Sequence, residues 1–193
     1  MRGQADVPSR HALLSWRTTR VSIVQGDVTE QNVDAVVNAA NSSLMGGGGV
    51  DGAIHRRGGP QILEECKMLR WEHWPNELPT GKAAITSGGQ LRARHVIHTV
   101  GPVWRGGDRG EPGELADCYA NSLTLAKEKR LKSVAFPSIS TGAYGYPIEA
   151  ASRIALKTVK EFVAKEGWPP GIVFVLFSNR DFEVYERAAK EFE

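Results

Sequence analysis

Two kinds of hydrophobic pattern alternate along the chain. Short runs rich in Val, Ile or Ala predict strands at residues 21–24, 35–38, 83–87, 95–99, 133–136 and 172–177. Between them, apolar residues recur at helical spacing and predict helices at 52–57, 60–69, 114–127, 148–165 and from 182 to the C-terminus. In the fourth of these, Ile148, Ala151, Ala155, Val159 and Phe162 make one apolar stripe. Strands alternating with helices predict an α/β fold, a three-layer α/β/α sandwich built on a mixed, mostly parallel sheet. Residues 1–20 mix Arg, Ser, Thr and Pro without a period and read as an N-terminal appendage, although 11–16 are apolar enough to pair or pack locally. Residues 21–193 read as one domain, with 105–113 as a mobile surface loop because of its Gly, Pro and charge content.

Composition narrows the picture. A chain of 193 residues with 41% hydrophobic side chains can bury a core without disulfides or metals. No apolar run is long enough for a membrane span and no secretory h-region opens the chain, so no membrane partner and a cytoplasmic location are expected. Cys66 and Cys118 sit in no Cys/His cluster, and His73, His95 and His98 have no metal-ligand spacing, so neither metal nor cofactor is expected. The net charge is +2 with basic residues dispersed, which gives no footprint for duplex DNA or an acidic membrane.

Two loops carry the candidate chemistry. The first runs from Asn38 to His55 between a strand and a helix and contains Gly46, Gly47, Gly48 and Gly49 in succession. Glycines let backbone approach a ligand closely, and the free N–H groups at the following helix start favour an anion. The second runs from Pro137 to Pro147, again between a strand and a helix, with hydroxyls and backbone amides suited to phosphate. Both belong at the carboxyl ends of strands, where open α/β sheets gather ligands, and two such loops face to face would clamp a diphosphate. The Gly-Lys-Ser/Thr of a P-loop and the Gly-x-Ser-x-Gly elbow of serine hydrolases are both missing.

At this level of detail the chain resembles the macrodomain family, and within it the MacroD-type branch, from about residue 21 to about residue 182. The resemblance is carried, in family order, by Gly26-Asp27-Val28-Thr29, the run from Asn38 to His55, Thr99-Val100-Gly101-Pro102, and Ser140-Thr141-Gly142-Ala143-Tyr144-Gly145-Tyr146-Pro147. It implies ADP-ribose as ligand. By it, Asp27 accepts from the adenine amino group, Val28 contributes backbone at that end, and Phe177 packs on the base. Asp27 as a turn residue and Phe177 as plain core are the rival readings. Gly46, Gly47, Gly48, Gly49 and Val50, with Asn38 nearby, would wrap the distal ribose and diphosphate. Ser140, Thr141, Gly142, Ala143 and Tyr144 would cover the phosphates from the opposite side.

The resemblance also implies hydrolysis, through Asn41 and Asp51. Asp51 falls at a helix start, where the dipole favours an ionised carboxylate able to orient or deprotonate water, though an ordinary cap suits the same position. Asn41 can donate and accept hydrogen bonds, which suits holding a ribose hydroxyl. His55, one turn beyond Asp51, reads as scaffold. The expected activity is removal of mono-ADP-ribose from proteins, deacetylation of O-acetyl-ADP-ribose, or both. The expected partners are ADP-ribose derivatives and ADP-ribosylated proteins. A non-catalytic reader of ADP-ribose needs the same pocket but not the Asn41 and Asp51 pair. A single-stranded nucleic-acid binder would show a basic aromatic stripe, which is missing.

Overall fold

The computed structural model describes residues 11–193. Its strands are β1 (His11–Trp16), β2 (Thr19–Gln25), β3 (Ala35–Ala40), β4 (Ala83–Ser87), β5 (His95–Val100), β6 (Ser133–Phe136) and β7 (Gly171–Leu176). They form one seven-stranded sheet in the order β1-β2-β7-β6-β3-β5-β4. The inner pairings β2/β7, β7/β6, β6/β3 and β3/β5 are parallel, whereas the edges β1 and β4 run antiparallel to their neighbours. Helices α1 (Gly49–Gly58), α2 (Pro60–Glu72), α3 (Glu111–Glu128), α4 (Ile148–Glu166) and α5 (Asn179–Ala189) supply the crossovers and the C-terminal cover.

The two faces of the sheet are buried against different helices. Ala35 and Val37 of β3 join a core with α3, α4 and α5, while Val36 and Ala40 join a second core with α1 and α2. Burying each Val, Leu or Ile side chain contributes about 1.5–3 kcal/mol, so continuous apolar strands are needed to hold both layers. Asn38 is the one polar residue in β3, and strand alternation puts it on the α1/α2 side with Val36.

Two expectations change. Residues 11–16 are the edge strand β1, in register with β2 from His11↔Val24 to Trp16↔Thr19, with Leu14 and Trp16 buried. Among the described residues the sheet therefore begins at His11, and of the stretch read as an appendage residues 1–10 lie outside them. The connecting turn puts Arg17 at φ 53°, a left-handed conformation usually announced by Gly or Asn, so the hairpin carries no turn signal in the sequence. Residues 105–113 are organised rather than loose. The buried carboxylate of Glu111, the first residue of α3, accepts from the backbone N–H groups of Arg105 (2.9 Å), Gly107 (3.1 Å) and Arg109 (2.7 Å).

Candidate functional site

β3, β5 and β6 run parallel, so their carboxyl ends and the loops that leave them meet at one edge of the sheet. There the chain encloses a cavity of about 300 Å³. One wall is Asn41, Gly47, Gly48, Gly49, Val50 and Asp51; the facing wall is Ser138, Ser140, Gly142, Ala143 and Tyr144. The two glycine-containing loops thus face one another as the sequence implies. Ala39, Ala40, Gly101 and Ser138 also line it and were not singled out from the sequence, although Ala39, Ala40 and Gly101 lie inside the quoted motifs and Ser138 inside the second loop. Gly46 and Thr141 are beside the cavity without lining it. Gly46 uses its carbonyl to accept from Asn41, and the Thr141 hydroxyl donates to the Ser138 carbonyl.

Asp51 is in the first turn of α1 and is buried, with its carboxylate at the cavity wall. Its Oδ1 accepts from Asn38 Nδ2 at 2.7 Å and lies 3.4 Å from His55 Nε2, one helical turn on. Its Oδ2 is 3.5 Å from Asn41 Nδ2. Burial is the largest influence on Asp51 and pushes its carboxyl above the ordinary value of 3.8. The Asn38 amide, the nearby His55 and the Asn41 backbone oppose that rise without cancelling it. Burial thus works against the ionised form that the helix start favours.

Asn41 is held more narrowly than its chemistry requires. The Ser43 hydroxyl donates to Asn41 Oδ1 at 2.5 Å, and Asn41 Nδ2 donates to the Gly46 carbonyl at 2.7 Å. With its oxygen engaged, the amide presents an N–H toward Asp51 and the cavity, so it is a donor there. The loop is braced from α2, where Arg70 donates to the carbonyls of Ser43 (2.5 Å) and Trp74 (2.7 Å), and also to that of Asn76. Asn38 departs from its expected place: it is fully buried and absent from the cavity wall, standing behind Asp51.

Gly48 separates conformational from ligand requirements. Its φ is −96°, open to any residue, and a Cβ there would meet nothing within 4 Å. The protein's own packing gives no reason for glycine at this point on the wall, whereas close approach of a ligand does. On the facing loop, Ser140 holds a left-handed φ of 66°, and its buried hydroxyl has no hydrogen-bond partner among the described residues.

The other end of the expected site lies at the carboxyl ends of β2 and β7. Gly26 N–H donates to the Leu176 carbonyl at 2.9 Å, which places Asp27 and Phe177 on adjacent strand ends. Phe177 is 81% exposed, so the rival reading of it as core is excluded. Asp27 does cap a turn: its Oδ1 accepts from Thr29 N (2.8 Å) and Thr29 Oγ1 (2.6 Å) at the start of a 3-10 helix. Its Oδ2 is 3.6 Å from the Arg57 guanidinium, leaving that oxygen outside the cap. Val28 is buried in the α1/α2 core. None of these three lines the 300 Å³ cavity.

Comparison with known proteins agrees with this fold. The family model described as Macro domain matches residues 37–155. The chain is 53% identical over 169 residues to the O-acetyl-ADP-ribose deacetylase of Escherichia coli K12, spanning 88% of this chain and 94% of the relative. It is 52% identical over 174 residues to a macro domain-containing protein of Caldanaerobacter subterraneus, spanning 90% of this chain and 98% of that one. Among solved structures, the Oceanobacillus iheyensis macrodomain with ADP superposes with a TM-score of 0.90 at 46% identity, covering 95% of this chain and 97% of that one. The Trypanosoma brucei macrodomain in complex with ADP-ribose gives a TM-score of 0.79 at 42% identity, covering 88% and 68%.

Proposed function

Because the chain belongs to the Macro domain family, we propose that it binds ADP-ribose and hydrolyses a group from the distal ribose, deacetylating O-acetyl-ADP-ribose and removing mono-ADP-ribose from proteins. The observation that carries the reading is the buried carboxylate of Asp51 beside the Asn41 N–H, on the wall of a cavity that a phosphate-type loop closes from the other side. The diphosphate lies between the two loops, Phe177 stacks on adenine, and the distal ribose reaches Asn41 and Asp51.

In the deacetylation, Asp51 Oδ2 draws a proton from a water as that water attacks the acetyl carbon. The carbon–oxygen bond to the ribose breaks, the ribose oxygen takes up a proton, and acetate and ADP-ribose leave. Asn41 positions the ribose by donating to one of its oxygens. Holding the reactants in place and moving the proton are the two contributions asked of the protein. A carboxyl raised by burial is a stronger base than a solvated one, and activity should rise with pH through its titration. The support for hydrolysis over reading alone is that both members of the pair are present and face each other.

The test is release of acetate from O-acetyl-ADP-ribose, and of ADP-ribose from a mono-ADP-ribosylated acidic protein, alongside calorimetry with ADP-ribose. Asp51→Ala should slow turnover by roughly two to four orders of magnitude while binding survives. Unchanged turnover in that variant removes Asp51 from the chemistry; tight binding with no release by the unmodified protein makes it a reader.

A further inference from the structure

Behind Asp51, away from the cavity, lies a set of polar side chains that the proposed reaction does not use. Asn38 and His98 are register partners on β3 and β5, and neither has exposed surface. Thr86, also buried, is on β4, two residues from Ala84, the register partner of His98. Strand alternation points all three to the α1/α2 side of the sheet, where Asp51 sits.

With Asp51 ionised, their donors and acceptors follow from the Asn38 amide. Asn38 Nδ2 is 2.7 Å from Asp51 Oδ1 and 3.1 Å from His98 Nδ1. An amide nitrogen only donates, so its two hydrogens serve these two atoms and His98 Nδ1 is an acceptor. Burial holds His98 neutral, with its pKa lowered to about 3, so its single ring proton is on Nε2. That nitrogen lies 3.0 Å from Thr86 Oγ1, which in turn donates to the Ser87 carbonyl at 3.0 Å, and 3.8 Å from Cys66 Sγ, a weaker and more distant partner. Ser87 is fixed to α2, its N–H and hydroxyl donating to the Glu65 carboxylate at 2.6 and 2.5 Å. Turning the amide over would aim its oxygen at the Asp51 carboxylate.

The arrangement leaves Asn38 Oδ1 buried without a partner among the described residues, a cost that a valine at this strand position would avoid. We propose that Thr86 and His98, acting through Asn38, are positioning residues that grip Asp51 by Oδ1 and so aim Oδ2 at Asn41 and the cavity. This rests on Asp51 being the group that works on the attacking water. Besides His98 on β5, the titratable groups near Asp51 are His55 on its own helix and Cys66 on α2, while Glu65 on α2 faces Cys66 and His98; none of these holds Asp51 Oδ1 by so short a contact as Asn38 does.

Nitrogen-15 NMR of the imidazole groups tests the chain without any activity readout: His98 should be protonated at Nε2 and bare at Nδ1. A proton on Nδ1 overturns the proposal. Thr86→Val keeps the shape and removes the nearer acceptor for Nε2–H, leaving only the weak Cys66 Sγ at 3.8 Å, which favours the other tautomer and turns the Asn38 amide off Asp51. In the O-acetyl-ADP-ribose assay kcat should fall about tenfold or more while KM and the ADP-ribose Kd stay within about twofold. The acidic limb of the pH profile should move to higher pH, because Asp51 loses a donor that favours its charged form. Thr86→Ser, which keeps the hydroxyl, should restore both. If Asp51→Ala turns over normally, the reading of Asp51 fails and takes the relay with it. If Asp51→Ala is inactive while Thr86→Val keeps wild-type kcat and pH limb, the relay alone is overturned.

Discussion

Gly47→Ala puts a methyl group between the two side chains on which hydrolysis depends. A Cβ at Gly47 would stand 3.0 Å from Asn41 Nδ2 and 3.2 Å from Asp51 Oδ2. Non-bonded heavy atoms settle at about 3.5–4.0 Å, so the two groups must retreat by about 0.3–0.5 Å. Neither is free to do so, since Asn41 is held by Gly46 and Ser43 and Asp51 by Asn38. Gly47 itself is exposed and has an ordinary φ, so the fold should tolerate alanine. A catalytic constellation is productive within about 0.5 Å, and a displacement of about 1 Å costs on the order of a hundredfold. The expected loss in kcat is therefore about tenfold, or about 1.4 kcal/mol. The assay is acetate release from O-acetyl-ADP-ribose, with calorimetric ADP-ribose affinity and a thermal melt on the same preparation. Gly48→Ala is the companion, because its methyl meets no protein atom within 4 Å and only a ligand can feel it; its loss should appear in Kd. Wild-type kcat for Gly47→Ala, or a Gly48→Ala protein that loses kcat at unchanged Kd, would refute the reasoning.

Two further outcomes follow from the geometry. Phe177→Ala should weaken ADP-ribose binding by roughly 1–3 kcal/mol if the ring stacks on adenine. Its melting temperature should not change, since the ring is exposed; calorimetry showing unaltered affinity would remove Phe177 from the site. Glu111 is held down to about 2 from its ordinary 4.5, by its own backbone N–H first and then by those of Gly107, Arg109 and Arg105. Its contribution to stability is thus complete above about pH 4.5 and lost as pH falls toward 2. Glu111→Gln should melt at lower temperature at neutral pH and lose less on acidification across that window. Parallel melting-temperature curves for the two proteins would count against the anchoring role.

The legible parts of the fold were those where one local rule decides. β4 and β6 coincide with the strands expected at 83–87 and 133–136, and the inner strands stand out because burial on both faces makes them continuously apolar. β1 was missed because Leu13, 69% exposed, interrupts its alternation and because Arg17 takes a turn conformation that its residue type does not signal. The start of α3 was missed because Glu111-Pro112-Gly113 reads as loop, and only the folded chain brings the N–H groups of Arg105, Gly107 and Arg109 to one carboxylate. In the site, the loops were legible as motifs, but the direction of each side chain was not. Asn38 sits in the motif beside the ligand loop, yet strand parity turns it toward His98 and Asp51. The glycines at 47 and 48 look equivalent in sequence, and only the positions of Asn41 and Asp51 separate them.

Where the molecule departs from easy folding is itself informative. Among the described residues, four buried side-chain polar atoms lack a hydrogen-bond partner, and three of them, on Asn38, His55 and Ser140, surround the cavity or its carboxylate. Leu44 and Ser140, both buried and in left-handed conformations at φ 60° and 66°, stand on the two loops that face each other. Asp51 is buried with its carboxyl pushed upward. Each of these costs stability, and each persists only where surrounding structure over-determines it. That structure is visible: Leu78 N–H donates to the Ser42 carbonyl, Tyr146 N–H to that of Ser140, and Trp104 N–H to that of Tyr144. Arg70 ties the first loop to α2. A scaffold shaped for stability alone would carry valine for Asn38 and glycine for Ser140. Concentrating the exceptions around one cavity, and bracing them from outside it, is what a preorganised site requires.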